Sequence, residues 1–406
     1  MSSNIDDHDI WIIGVSMTRF GRYPDKDAFL LGAEAALDAL DDADLTIHDI
    51  DILAAGSVNQ IRAYPAQRIQ KHIGQTGIPA VNVINACATG ATAVRTVHQA
   101  IKAGEASIGL AVGTEQMGKQ GMLGAGRFGA GGERRFVPEG PQGAVMQTEG
   151  ILGTGLMPGT FAQAGMRYAA QHDGVGPEQF IKIAVKNHEN SVRNPLAQYQ
   201  KAFTAEQIRD AEMIAYPNTT LMCCPTGDGA SGAVLVSGER LRSLPVETQR
   251  RAVKISASVL TSDPWAPDGL VQPDINTLTR NAARQAYEVA GVGPADLDLV
   301  ELHDCFATAE LIHYDNLELC EPGGAGDFID RGAPKRDGET PVNVSGGLLS
   351  KGHPLGATGV ANIFEVSTHL RGEAGDRQVE GATVGLTHVI GLGSACSIHI
   401  LEKGNL

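Results

Sequence analysis

Cys87 stands in Val83-Ile84-Asn85-Ala86-Cys87-Ala88-Thr89-Gly90, where an apolar run gives way to small residues at helical spacing. A thiol at the start of a helix meets N–H groups without intrahelical partners and the positive end of the helix dipole, which favours its thiolate. The same N–H groups can hold an oxyanion. Such a cysteine can serve as a nucleophile, although most cysteines are simply small buried hydrophobes. His353 lies in Ser350-Lys351-Gly352-His353-Pro354-Leu355-Gly356. Gly and Pro pin the backbone on either side, and an imidazole held so can activate a thiol or donate to a carbonyl oxygen. A surface turn is the alternative use. His303-Asp304-Cys305-Phe306 closes an apolar run. The C-terminal end of a parallel strand is where open α/β sheets place their sites. Alternation puts His303 and Cys305 on one side and Asp304 on the other, where Asp304 could cap the helix that follows. Gly391-Leu392-Gly393 lies between the last two strands. It is either a bare hairpin or a backbone N–H donor for an oxyanion.

Other patterns carry less. Gly124-x-Gly126-x-x-Gly129 fits the dinucleotide fingerprint by letter but follows no clear strand and opens no helix. Cys223-Cys224-Pro225 reads as a buried strand end, and Asp228-Gly229 as a turn. His188 lies on a helix without a metalloprotease motif, and neither Gly-x-Ser-x-Gly nor a P-loop occurs.

The elements that must position these residues alternate. Strands are expected over residues 9–15, 50–54, 81–85 and 107–112, with helices over 28–40 (Asp25 as a possible N-cap) and 88–102. This βαβ rhythm argues for a mainly parallel sheet. It breaks over 119–225, which is rich in Gly, Gln and Pro but holds amphipathic helices over 161–171 and 178–193, as an inserted loop domain would. It resumes with strands over 232–237, 252–259, 297–302, 342–344, 382–389 and 395–401, and helices over 275–290, 308–319 and 356–370. The two parts match in order. Val81-Asn82-Val83 leads into Ala88-Thr89-Gly90-Ala91, as Val342-Asn343-Val344 leads into Gly356-Ala357-Thr358-Gly359. Ile50-Asp51-Ile52-Leu53 parallels Leu297-Asp298-Leu299-Val300. Two similar α/β halves follow, here 1–118 with 226–250 and then 251–406, with 119–225 inserted. Their small-residue helices can approach closely and bring Cys87 toward His353.

The chain of 406 residues is too long for one small core. A net charge of −15 disfavours nucleic acid and anionic membrane as partners. Six cysteines without Cys-x-x-Cys disfavour a zinc ribbon or a disulfide framework. The N-terminus has no secretory pattern and the C-terminus no peroxisomal address, so the cytoplasm is the expected compartment. No apolar run approaches the roughly 18 residues of a membrane span.

Taken together, Asn85 to Gly90, Lys186-Asn187-His188 to Asn194-Pro195, Cys224-Pro225-Thr226-x-Asp228-Gly229-Ala230, Glu301 to Phe306 and Val344 to Gly359 resemble the thiolases. The similarity is narrowest to the sterol-carrier-protein-type, lipid-transfer-like members, and it spans nearly the whole chain. The resemblance implies a thiolase fold, α/β and five-layered αβαβα, made of two similar halves with an inserted loop domain. It implies a homodimer or homotetramer, an acyl-CoA substrate and coenzyme A as co-substrate, with no permanently bound cofactor and no metal. It implies that Cys87 accepts the acyl group, that His353 activates it and that His303 occupies the position where many thiolases carry Asn. The second reactive cysteine of most thiolases falls at Val389, and Cys305 would take over its role. That departure leaves room for a retro-aldol activity. A lipid-carrier domain of some relatives is not expected, and a small OB-fold partner is a possibility for a non-enzymatic acyl-CoA-binding subunit. The phosphates of coenzyme A need cations, for which Arg127, Arg134, Arg135, Lys182 and Lys186 are candidates.

Overall fold

The computed structural model describes residues 5–118, 156–264, 275–392 and 395–404. The glycines and arginines of 124–135, and Gly393, lie outside them.

β1 (Ile10–Met17), β2 (Ile52–Gly56), β3 (Ala80–Val83) and β4 (Ile108–Gln116) come first, followed by a small hairpin of β5 (Met213–Ala215) and β6 (Asn218–Thr219). β7 (Asp228–Ser237), β8 (Val253–Thr261), β9 (Leu299–Glu301), β10 (Val384–Gly391) and β11 (Ala395–Lys403) complete the set. Nine of these strands run in the order β3-β2-β4-β7-β1-β8-β11-β10-β9. The order is nearly its own mirror. In the first half, β2 is parallel to β3 and β4, and β7 runs antiparallel between β4 and β1. In the second half, β10 is parallel to β9, and β11 runs antiparallel between β10 and β8. The halves meet where β1 and β8 pair, through Trp11 with Lys254 and Ile12 with Val253.

The second half has no full counterpart of β3. Residues 342–344, expected as a strand, make one bridge from Val342 to Val300. Asn343 then turns left-handed at φ 53 and spends its side chain on Leu302 N–H and Glu310, which ends the pairing.

Helix α1 (Ala28–Asp42) covers the outer face of the first half; its N-cap is Asp27, not Asp25. Asp27 is extended and its carboxylate accepts Leu30 N–H at 2.8 Å, the three-residue reach a cap requires. Between the two half-sheets lie α2 (Thr89–Lys102) and, late in the chain, Leu355–Arg371. Their shared core takes Val94 and Val97 from the first and Val360, Ile363 and Val366 from the second. Helices α3 (Leu156–Gln171), α4 (Pro177–Ser191), α5 (Ile275–Ala290) and α6 (Ala307–Asn316) form the outer layer of the second half. A short α7 (Gly347–Lys351) leads into α8 (Leu355–Arg371).

The layers are therefore helix, sheet, helix, sheet, helix. The middle layer is tight. A Cβ on Gly90 would stand 2.6 Å from the Gly356 carbonyl, and one on Gly359 would stand 2.2 Å from Ala91 N. Any larger residue would part the helices.

In this middle region, His399 on β11 is fully buried and His98 on α2 half-buried. Burial pushes them down to about 3 and about 4. Neither ring nitrogen of His399 has a hydrogen-bond partner. Both groups stay neutral in the fold and take protons below about 6.5 once unfolded. Their effect is to remove stability as pH falls from 6.5 toward 4. His399→Leu should flatten the decline of unfolding free energy between pH 7 and 5, measured by urea titration; an unchanged slope would count against this origin.

Candidate active site

The chain enters α2 through a strained turn. Ala86, a non-glycine residue, is left-handed at φ 46. Thr89 holds the turn by accepting Asn85 N–H at 2.8 Å and donating to the Ala86 carbonyl at 2.6 Å. Such strain persists where the surroundings over-determine it, and it clusters at functional sites. Here it turns Cys87, 7% exposed, into the space between the halves. Gly391 at the end of β10 backs the same turn. A Cβ there would stand 2.2 Å from the Asn85 carbonyl.

His353 arrives from the other half. Its Nδ1 lies 2.7 Å from Thr358 Oγ1, and that hydroxyl donates to the Pro354 carbonyl at 3.0 Å. With its one proton committed, Thr358 can only accept from the ring. His353 is therefore protonated at Nδ1, and its Nε2 presents a lone pair without a partner. His303 stands edge-on, ring centroids 5.2 Å apart, and its Nδ1 is also unpartnered. Cys87, His303 and His353 each bring a ligating atom within 4.8 Å of the others. The sequence expectation that two distant motifs converge on Cys87 thus holds in space.

The expected resting thiolate does not. Burial, and next the Glu115 carboxylate, push the Cys87 thiol up to about 12. Burial and the neighbouring His303 hold His353 well below its usual range. The closed site rests as a neutral thiol beside a neutral imidazole, because desolvation outweighs the helix terminus.

Cys305 is buried beside them. Its carbonyl accepts Cys224 N–H at 2.9 Å, which lays Cys224 alongside. Burial first raises both thiols far above the ordinary range, helped next by Cys223 and Cys87 for Cys224 and by Cys224 and Cys87 for Cys305. The residue pair 223–224, read from sequence as a plain strand end, therefore adds a thiol to the site's surroundings. Val389 packs in the same apolar cluster as Cys87. The position where the resemblance places a second cysteine does adjoin the first one, and it holds an alkyl group.

Asp304 faces away from the histidines, but it does not cap α6, whose N-cap is Phe306. Its carboxylate accepts Leu348 N–H at 2.7 Å, Leu349 N–H at 3.3 Å and Asn187 Nδ2 at 2.8 Å. It thereby anchors α7, the element that delivers His353. The segment from α4 onward grips the same turn. Gln198 N–H donates to the Lys351 carbonyl, Tyr199 N–H to Ser350, and the His188 ring bonds the Ser350 hydroxyl. Phe161 of α3 packs on His303 at 6.2 Å.

Lys186 is no phosphate ligand. It is buried against Glu310 at 2.8 Å, since a lysine so deep must be paired. Lys182 sits at the surface, paired with Asp330 at 2.7 Å.

Two supports escaped the sequence reading. Glu115, buried at the end of β4, accepts Val58 and Asn59 N–H from one half and Gly356 N–H at 3.0 Å from the other. His388 accepts His303 N–H through Nδ1 at 3.3 Å. Neither stands in a turn or at a Gly–Pro junction; His388, one residue before Val389, was the more findable.

Fold and site define a doubled α/β protein with a buried thiol set between two imidazoles from its second half. Residues 10–215 match the family model of the thiolase N-terminal domain, and residues 272–403 that described as thiolase C-terminal domain-like. The chain belongs to the thiolase family. It is 36% identical over 406 residues to sterol carrier protein 2 of Oryctolagus cuniculus, covering 97% of this chain and 72% of that one. It is 35% identical over 402 residues to an acetyl-CoA acetyltransferase of Methanothermobacter thermautotrophicus, covering 97% and 100%. Among solved structures, an Ltp2-ChsH2(DUF35) aldolase superposes with a TM-score of 0.75 at 23% identity, over 98% of each chain. Among the described residues, no helix is long and apolar enough to cross a membrane.

Thr358→Val would leave Nδ1–H of His353 without its acceptor, at a cost of about 1–3 kcal/mol. Alkylation of Cys87 by iodoacetamide at pH 8 should slow by about tenfold or more, a barrier of ~1.4 kcal/mol, with circular dichroism unchanged. An unaltered rate would show that this contact does not orient the ring.

Proposed function

We propose that the protein is an acyl-CoA acyltransferase that cleaves 3-oxoacyl-CoA thiolytically, or runs the reverse Claisen condensation, through an acyl-Cys87 intermediate. The observation that carries this is that His353, with its Nε2 unpartnered, and the Cys87 sulfur share one buried cluster. On substrate binding, His353 Nε2 takes the thiol proton, and the sulfur attacks the keto carbon. The bond to Cα breaks, and its electrons leave with acetyl-CoA or propionyl-CoA as an enolate. Cys305 protonates that carbon. A second coenzyme A then gives its thiol proton to the Cys305 thiolate and takes the acyl group from Cys87, whose sulfur leaves and recovers its proton from His353, so the enzyme is restored. Oxygen carries charge at each step. His353 and His303 form one oxyanion site, and the N–H groups of Cys87 and Gly391 the other. Losing one such donor typically costs about 3–4 kcal/mol of barrier.

Coenzyme A is a co-substrate in this scheme, and the working form is a homodimer or homotetramer. Residues 1–118 with 226–250 and residues 251–406 serve as the two halves, and 119–225 as the insertion. The mirrored sheet order and the grip of residues 188–199 on the His353 turn support that division.

A second reading is favoured by Val389. With an alkyl group where most thiolases carry a cysteine, a retro-aldolase acting on a β-hydroxyacyl-CoA needs a base but no acyl-cysteine. The aldolase likeness bears on it at the level of fold alone, and a small OB-fold partner belongs to a third reading, a non-enzymatic acyl-CoA-binding subunit.

Incubation with acetoacetyl-CoA or a longer 3-oxoacyl-CoA, followed by intact mass spectrometry, should show one acyl adduct that maps to Cys87 and disappears when free coenzyme A is added. Cys87→Ala should show no adduct and lose thiolysis by a factor of about 10⁴ or more. Cys305→Ala should slow enolate protonation by 10²–10⁴-fold yet still accept an acyl group from acetyl-CoA. Full thiolysis by Cys87→Ala would refute the scheme, and β-hydroxyacyl-CoA cleavage by that variant would establish the second reading.

A further inference from the structure

We propose that Cys87, His303 and His353 form a binding site for a soft divalent cation, zinc above all, that occupies the centre in place of substrate. The set is one thiol and two imidazoles, all buried, with ligating atoms mutually within 4.8 Å. Two observations point to a ligand. Nδ1 of His303 and Nε2 of His353 are both buried without a partner. The Nδ1 contact of His353 with Thr358 also leaves the lone pair on Nε2, free to bind a ligand.

A tetrahedral zinc site spaces its ligand atoms by roughly 3.3–3.6 Å, from Zn–N near 2.0 Å and Zn–S near 2.3 Å. From separations of at most 4.8 Å, the three side chains need close by no more than about 1.5 Å, within the range of small χ rotations. Thiolate with imidazole selects zinc, cadmium or cobalt(II) over magnesium or calcium, which prefer oxygen. Thr358 supplies the second-shell acceptor that metal-ligating histidines require. The Glu115 carboxylate, whose field reaches Cys87, offsets the charge left on a metal with one thiolate ligand. Binding is balanced without redox change: the Cys87 S–H bond breaks, a proton leaves to solvent, and both imidazoles donate lone pairs. A water completes the four. The metal takes the sulfur that acylation needs, so zinc and acyl-CoA exclude each other.

The site does not depend on the acyl-transfer reading, and its test reads binding. Reduced protein titrated with cobalt(II) should bind one equivalent and develop the near-ultraviolet thiolate-to-metal band together with tetrahedral visible bands. Zinc should displace them. Cys87→Ala should abolish the thiolate band, and His303→Ala or His353→Ala should weaken zinc binding at least tenfold by calorimetry. Thermal unfolding of each variant establishes that it is folded. Prior carboxymethylation of Cys87 should prevent binding, and bound zinc should protect Cys87 from iodoacetamide until a chelator is added. A thiolate band that persists in Cys87→Ala would place the metal on Cys223, Cys224 or Cys320 and overturn the proposal. So would octahedral, sulfur-free spectra. Acyl trapping on Cys87 fails or succeeds separately, so the two conclusions stand apart.

Discussion

The close contact of α2 and α8 is the constraint on which the site rests. Gly90 lies against Gly356 and Gly359 at distances that forbid even a methyl group. Gly113 of β4 makes room in the same way, since a Cβ there would stand 2.1 Å from the Gly356 carbonyl. Backbone approach of this kind needs residues without a Cβ. Its consequence is geometric. The N-termini of the two middle helices come together, and the turns that precede them carry Cys87 and His353.

Contact alone would leave both side chains free to wander, and buried polar groups fix them. Glu115 ties the first half to the start of α8 through three backbone N–H groups. Asp304 pins α7 through two more, and the segment from His188 to Tyr199 grips the same turn from outside. Glu301 and Lys351, both fully buried, pair at 3.4 Å beneath it, and Ser345 adds a 2.5 Å hydrogen bond to the same carboxylate. Buried groups of this type are costly unless satisfied, so the network specifies one position for the His353 turn.

Dryness then sets the chemistry. The helix terminus offers a favourable potential to a thiolate, yet burial and Glu115 overwhelm it, and the thiol stays protonated. A neutral thiol–imidazole pair suits a protein that must meet its substrate before it ionises. In the proposed scheme the proton moves when an incoming carbonyl supplies the place where charge will settle. The same unpartnered nitrogens that await that step are what make the centre attractive to a soft metal.

Much of this was legible in the chain. Alternating strand and helix periods, the repeated Val-Asn-Val segments and the small-residue helices follow from local sequence, and they imply two similar halves. Cys87 could be singled out from a helix start, His303 from a strand end, His353 from a Gly–Pro junction and Gly391 from a hairpin, because each of these signals is local. The ionisation of Cys87, the deep pairing of Lys186 and the anchoring of α7 by Asp304 were not legible, since each is set by residues far along the chain: Glu115 and the burial around Cys87, Glu310 for Lys186, and Leu348 for Asp304. The same holds for Val342–Val344, whose strand stops because the Asn343 side chain finds better partners in Leu302 and Glu310. Short-range order is encoded by spacing, whereas desolvation and long-range hydrogen bonding exist only once distant segments exclude water together.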